Sequence, residues 1–493
     1  MHDDLVNSSA NEIARGVATK QFSVTEVMSA FLQRVDRANP ILNAICTINP
    51  RADDAARASD RRLASGKSAR PLEGVPFVVK DVIHTKGVRT TFGSKLLENL
   101  IPDEDSISVE RLQAAGAILI GKANTPEFAH DVNTTNKIFG TTRNPWSLDV
   151  TAGGSSGGTA SAIAGAMAPI GLGTDLGGSI RIPSAFCGIV GLRPAPGRVP
   201  VYPADFGWDT LVEHVQGPMA ATVADIGAML SVLAGPDDRD PSSMPSQRKN
   251  YASASRGAPN LTGRRIAYSH DLNGLMPVDP EVADLTRRAA ERFELLGCVV
   301  DEACFDVSDA PEIISGTRAF GMIARYADRL ASSKDLLTPQ LIAQVSDSLK
   351  IDARTITRAE RLRTEYWHRA RRFLDRYDYI MLPTVGVPAF RLDRPLPTTI
   401  GGKPVARFYD VFLGTYAFSI TGLPTMSVPC GWNSEGLPVG LQIVGRRLRE
   451  DMILEAAAAY AQACPTYFAK PKVTFDDVKV HTEAVVTTGY QIR

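Results

Sequence analysis

Ala152-Gly-Gly-Ser-Ser-Gly-Gly-Thr-Ala-Ser-Ala-Ile-Ala-Gly-Ala-Met-Ala-Pro-Ile-Gly-Leu-Gly-Thr-Asp-Leu-Gly-Gly-Ser-Ile-Arg181 is the stretch on which the fold turns. Gly157 to Ala168 is small and apolar, as in a buried helix. Pro169 breaks it, and Ile170 to Thr174 is an apolar run of strand length. Ser155 therefore precedes a helix and Ser179 follows a strand. Both are loop positions at element ends, where open α/β sheets carry their reactive groups. A hydroxyl is a weak nucleophile until a base takes its proton. Upstream, Gly74-Val-Pro-Phe-Val-Val-Lys-Asp81 offers one. Val75 to Val79 reads as a buried strand that delivers Lys80 to the edge of a sheet.

The alternation continues outward. Residues 10–36 have helical periodicity, with Ile13, Val17, Val24, Val27, Met28, Phe31, Leu32 and Val35 on one face. Helices are expected over Asp53–Ser65, Ser106–Ala115, Pro280–Leu296 and Glu450–Ala463, and residues 310–376 read as mostly helical and strongly charged. Strands are expected at Ala117–Ile120, Arg264–Ser269, Val299–Val300, Tyr379–Leu382, Thr425–Val428 and Val439–Val444. Asp237–Ala258 reads as a surface loop. This pattern predicts an α/β protein with a largely buried sheet.

The 493 residues are 44% hydrophobic and 22% charged, with 54 basic and 54 acidic side chains. That is the profile of a globular protein with no charge excess to attract nucleic acid or an anionic membrane. Met1–Ala10 has no apolar run, so no secretory signal is expected. Ala160–Leu176 is too interrupted to span a membrane. The six cysteines are scattered, with no C-x-x-C pair, so neither a zinc knuckle nor a redox motif is indicated. The expectations are a cytoplasmic enzyme with a small-molecule substrate, no metal, no cofactor, no nucleic-acid or membrane partner, and a homodimer left open.

The glycine-serine cluster admits several readings. As a flexible linker it should have polar, low-complexity flanks, yet an apolar helix follows at once. As a phosphate cradle it lacks the register of G-x-G-x-x-G and has no P-loop lysine. Gly153–Gly157 satisfies the G-x-S-x-G elbow of histidine-based hydrolases. Such a mechanism would draw its base from His214, His270, His368 or His481, none with an evident acidic orienter. The remaining reading takes Lys80 as the base.

On that reading the chain resembles the amidase signature hydrolases. The motifs that carry the resemblance are Gly-Val-Pro-Phe-Val-Val-Lys-Asp at 74–81, Gly-Lys-Ala-Asn-Thr-Pro-Glu-Phe at 121–128, Asn144-Pro-Trp, Gly-Gly-Ser-Ser-Gly-Gly at 153–158 and Gly-Thr-Asp-Leu-Gly-Gly-Ser-Ile-Arg-Ile-Pro-Ser-Ala-Phe-Cys-Gly at 173–188. Weaker likeness continues to Gly422-Leu-Pro-Thr-Met-Ser-Val-Pro and Gly436-Leu-Pro-Val-Gly-Leu-Gln. The resemblance implies one large domain over 71–470 with a twisted mixed sheet covered by helices on both faces. Its signature core spans 74–199, and a helical, pocket-forming insertion lies at about 305–376. Residues 1–70 are expected to pack on it as a helical segment and 471–493 to form a tail.

The same resemblance implies Ser179 as acyl nucleophile, Ser155 as relay, held through a cis peptide after Gly154, and Lys80 as base. It implies an oxyanion hole from the amides of Leu176, Gly177, Gly178 and Ser179. Ser156, Asp175 and Arg181 would support the site, with Arg181 tying the nucleophile loop to Asp175. Asp81 and Cys187 read as structural. Ala129 would line the acyl pocket, beside Thr134 and Asn136. Phe128, Trp208 and Phe412 are candidate apolar walls. Some relatives that take acidic substrates carry an arginine three residues after the nucleophile. Ile182 stands there instead, so the expected substrate is a small, mostly uncharged amide, anilide or carbamate, with ester side activity. The alternatives are the amidase subunit of a tRNA-dependent amidotransferase, whose pattern residues 200–217 lack, and a nucleotide- or phosphate-binding module.

Overall fold

An eleven-stranded mixed sheet runs through the computed structural model. The structure describes residues 2–204, 215–246, 249–257, 259–394, 397–407, 409–469 and 471. Trp208, His214, His481 and all but Pro471 of the expected tail lie outside the described residues. The strands are β1 (Ile45–Ile48), β2 (Pro76–Lys80), β3 (Ile118–Ala123), β4 (Ile170–Asp175), β5 (Val190–Arg193), β6 (Val215–Ala220), β7 (Arg265–Tyr268), β8 (Val299–Glu302), β9 (Tyr379–Pro383), β10 (Thr425–Trp432) and β11 (Pro438–Val444). Their spatial order is β1-β3-β2-β4-β6-β5-β10-β11-β9-β7-β8.

The β3-β2-β4 and β9-β7-β8 flanks are parallel, and antiparallel strands join them. Every residue of β2, β3, β4, β9 and β11 is buried. Sheets covered on both faces favour such continuous apolar runs. Sheet and flanking helices form one α/β domain.

The helical periodicity over 10–36 belongs to two helices, α1 (Ala10–Ala18) and α2 (Val24–Leu42). Ser23 accepts from the Glu26 amide while the Glu26 side chain returns to the Ser23 amide. This capping box starts a new helix where hydrophobic spacing alone suggested continuity. Residues 1–70 also supply the edge strand β1. Further helices are α3 (Gly157–Ala164), α4 (Arg181–Cys187), α5 (Ala310–Ser333), α6 (Pro339–Ser348), α7 (Ala353–Leu374) and α8 (Leu413–Ser419).

Strand β6 had no sequence signature, because Val-Gln-Gly-Pro-Met-Ala has weak strand propensity. It forms because β4 pairs with it along its whole length. Only Met219 and Ala220 pair with β5, so Pro218, which has no N–H, lies outside that short ladder.

Candidate active site

Lys80 is the last residue of β2 and is fully buried. Its Nζ lies 2.6 Å from Ser155 Oγ and 2.8 Å from Thr174 Oγ1. Parallel pairing of Val79 with Leu172 brings Thr174 and Asp175, at the end of β4, beside the lysine. Ser155 is fully buried in the loop before α3, and the peptide between Gly154 and Ser155 is cis. Burial lowers the pKa of the Lys80 ammonium from its ordinary value to about 7, against a weaker upward pull from Asp175.

Ser179 sits half-buried on the turn between β4 and α4. Its carbonyl accepts the Ser156 N–H at 3.1 Å. The Ser156 hydroxyl donates to the Thr174 carbonyl at 3.3 Å and accepts the Thr174 N–H at 3.4 Å. Ser156 thus joins the glycine-serine loop to both β4 and the nucleophile turn. Thr134 Oγ1 donates to the Gly153 carbonyl at 2.9 Å and accepts the Gly157 N–H at 3.1 Å, holding the other side of that loop. Asn136 bonds Asn124 and the Thr125 carbonyl, one layer further out.

Asp175 organises the turn. Its Oδ1 accepts the Gly178 N–H at 2.8 Å and its Oδ2 the Ile180 N–H at 3.1 Å. This removes Gly178 from the four amides expected to face an oxyanion, because an N–H aimed at a buried carboxylate cannot also aim at substrate. Gly178 has φ +131°, which other residues rarely adopt, and a Cβ there would run into Thr415. A Cβ on Gly177 would run into the Tyr416 ring, so α8 packs directly on the turn. Thr415 Oγ1 donates to the Gly177 carbonyl at 2.7 Å.

Arg181 grips Asp175 with two nitrogens, at 3.0 and 2.9 Å. It also donates to the Thr415 carbonyl and Gln442 Oε1 at 2.8 Å and to Ser419 Oγ at 2.7 Å. Arg193 adds a second cation 3.6 Å from Asp175. Burial alone would raise the Asp175 pKa; the Arg181 and Arg193 charges and the Arg181 hydrogen bonds bring it down to about 2. A carboxyl depressed in this way stabilises the fold above its unfolded pKa and loses that contribution as pH falls from about 4 toward about 2. Arg181→Met leaves the buried carboxylate with a single cation, Arg193, at 3.6 Å and without the Arg181 hydrogen bonds. It should cost ~3–5 kcal/mol in denaturant unfolding, and a change below 1 kcal/mol would contradict this role of Arg181 in the turn.

Thr174 is a site residue that sequence reasoning missed, although it lies inside the Gly-Thr-Asp motif. A neutral amine has two N–H groups and one lone pair. Donation of one N–H to Thr174 helps turn the lone pair toward Ser155. Thr174→Val should lower kcat about 10- to 100-fold. It should also move the rising limb of the pH–rate profile to lower pH, because the ammonium loses an acceptor. A displacement to higher pH would refute this role.

Asp81 lies outside the relay. Its Oδ2 accepts the Thr91 N–H at 3.0 Å and Oγ1 at 2.6 Å, beside a second buried lysine, Lys122, whose pKa burial lowers to about 8. Cys187 Sγ donates to the Ala152 carbonyl, and burial pushes its thiol pKa up, away from nucleophilic use. Phe128 packs with Met322 and Tyr326, and Phe412 with Ile182 and Val132. Ala129 is half-buried with φ +63°. Of the histidines proposed for an elbow, His368 is exposed on α7. His270 lies between Asp271 and Glu302 just after β7. β2 is third and β7 tenth in the sheet order, on the order of 30 Å apart at the usual strand spacing, so His270 cannot serve Ser155. Among the described residues no helix is long and apolar enough to cross a membrane.

The family model described as Amidase matches residues 26–454. The chain is 36% identical over 468 residues to an acylamidase of Rhodococcus erythropolis, covering 94% of this chain and 97% of that one. It is 34% identical over 495 residues to a glutamyl-tRNA(Gln) amidotransferase subunit of Thermosynechococcus vestitus, covering 94% and 100%. In structure it is similar to a bacterial aryl acylamidase of the amidase signature enzymes, with a TM-score of 0.86, 29% identity and coverage of 94% and 98%.

Proposed function

The chain belongs to the amidase signature family of enzymes that hydrolyse amide C–N bonds, and from that premise we propose that Ser179, Ser155 and Lys80 are its nucleophile, relay and base, acting on a small, mostly uncharged amide, anilide or carbamate. The observation that supports this reading is a fully buried lysine 2.6 Å from the Ser155 hydroxyl, with its ammonium destabilised to about 7. At neutral pH a large fraction is the free amine, whose lone pair can accept a proton.

Ser155 passes its proton to Lys80 and takes the proton of Ser179. The Ser179 Oγ attacks the amide carbonyl carbon, and the oxygen that becomes negative is met by the amides of Leu176, Gly177 and Ser179. Each such donor contributes about 3 kcal/mol to the transition state. Among the described residues Ser179 Oγ has no hydrogen-bond partner, so its link to Ser155 forms by side-chain rotation as substrate enters; catalytic contacts of this kind commonly tighten only in the complex. The proton returns through Ser155 to the leaving nitrogen as the C–N bond breaks. Water then attacks the acyl-enzyme through the same relay.

The acylamidase relative and the aryl acylamidase neighbour support simple amides and anilides as substrates, and the buried Ile182 beside the nucleophile turn supports an uncharged acyl group. All six cysteines are free thiols, in keeping with a reducing cytoplasm. The amidotransferase relative supports a second reading, the amidase subunit of a tRNA-dependent amidotransferase. Purified protein should decide between them. Release of amine from a panel of anilides, primary amides, esters and carbamates, with fluorophosphonate labelling mapped to Ser179, is the expected result. Activity that appears only with a tightly bound partner and channelled ammonia would instead establish the amidotransferase reading.

A further inference from the structure

Four elements meet beside the nucleophile turn, and they bring opposite charges close without pairing them. A Cβ on Gly154, directly before the relay serine, would run into the Asp131 carbonyl. Its carboxylate Oδ1 accepts the Asn133 N–H at 3.0 Å. Arg318, from α5, donates to the Tyr416 hydroxyl at 3.4 Å and to Gln344 Oε1. Tyr416 is the residue whose ring covers Gly177. Gln344, from α6, donates to the His130 carbonyl at 3.1 Å, the residue between Ala129 and Asp131. Arg318 is thereby anchored at the rim of the turn.

Asp131 and Arg318 are both half-buried. Arg318 exerts a downward Coulomb pull on the Asp131 carboxyl, whose pKa burial nevertheless raises to about 6. Yet among the described residues neither makes an ion pair at contact distance. Partly desolvated opposite charges normally close on each other, since an unpaired buried charge is costly. Here the Tyr416 and Gln344 contacts hold the guanidinium back, with unused N–H groups, and the Asn133 amide holds the carboxylate. A fixed multiple donor and a fixed acceptor that do not pair with each other suit a group that is itself acceptor on one side and donor on the other. A secondary amide is such a group, and it keeps the combined charge at zero, in line with an uncharged acyl portion.

We propose that Arg318 and Asp131 form a specificity subsite for a second amide group in the acyl portion of the substrate, Arg318 donating to its carbonyl oxygen and Asp131 accepting its N–H. The subsite rests on the assignment of Ser179 as nucleophile and determines which amides that centre prefers. The substrate class it selects is the N-acylaminoacyl amide or anilide, in preference to a plain alkanoyl amide of the same length.

The test compares N-acetylglycyl 4-nitroanilide with pentanoyl 4-nitroanilide, in which carbon replaces the second amide. Wild-type kcat/KM should favour the former about tenfold or more, the size of effect expected for charge-assisted hydrogen bonds. Arg318→Met should reduce that ratio to near one, chiefly through a raised KM for the N-acetylglycyl substrate; Arg318→Lys should restore part of it. N-acetylsarcosyl 4-nitroanilide, which lacks the N–H, should lose the share due to Asp131 in the wild-type enzyme. A wild-type ratio near one, or equal losses on both substrates in Arg318→Met, overturns the proposal. If neither anilide is cleaved and fluorophosphonate does not label Ser179, the assignment of Ser179 fails on its own. Calorimetry of N-acetylglycinamide against pentanamide on Ser179→Ala protein then decides the subsite, preference for the former supporting it and equal binding overturning it.

Discussion

Ser179→Ala is expected to reduce kcat by about 10⁶-fold, the scale seen when a serine hydrolase loses its nucleophile. Stability should remain within about 0.5 kcal/mol. The two halves of this expectation come from the same geometry. Ser179 is half-buried and its hydroxyl has no hydrogen-bond partner among the described residues, so alanine leaves no polar group stranded. The turn that carries it is held instead by Asp175, Arg181 and Thr415. Steady-state kinetics with released-amine detection, alongside thermal unfolding, measures both. Substantial residual turnover would move the nucleophile to another residue, Ser155 or Ser156 first. Loss of fold would show that the turn depends on the hydroxyl after all.

Lys80→Ala is expected to lower kcat/KM about 10⁴-fold, the upper range for removal of a positioned base. The wild-type pH–rate profile carries the more diagnostic signal. Only the neutral amine accepts a proton, so kcat/KM should climb through an apparent pKa of about 7 to an alkaline plateau. The limb should be missing from whatever activity Lys80→Ala retains. An optimum well below neutrality, or a loss of only a few fold, would eliminate the lysine base. The same shift has a consequence for stability. Between about 7 and about 10.5 the unfolded lysine holds a proton that the folded one has released. Stability therefore rises with pH across that window, and the alkaline gain in activity is not opposed by this group.

The proposed reactive residues were legible as element ends because each sits in a short stretch whose local pattern is strong. Val75–Val79 reads as a strand and ends at Lys80; Ile170–Thr174 reads as a strand and leads to Ser179; Ser155 precedes a helix of small residues. In the structure these local elements stand as β2, β4 and α3. What escaped was made by contact rather than by pattern. Strand β6 has little propensity of its own and exists because β4 pairs with it. The break between α1 and α2 came from a capping box that hydrophobic spacing does not register.

The sequence by itself determined an α/β protein and put Lys80, Ser155 and Ser179 at element ends, since strands, helices and their end loops follow from hydrophobic period and from glycine and proline placement; their proposed roles come from the family resemblance. Tertiary structure alone decided how those residues are tuned. The depressed pKa of Lys80 requires a buried environment assembled from β2, β4 and the Ser155 loop. The commitment of Gly178 to Asp175, and with it the set of amides left for an oxyanion, depends on the conformation of one turn. That turn is held by Arg181, which reaches Thr415, Ser419 and Gln442. These residues lie far apart along the chain, and hydrogen bonding and Coulomb interaction act over a few ångströms in space, a proximity that no spacing in the sequence encodes.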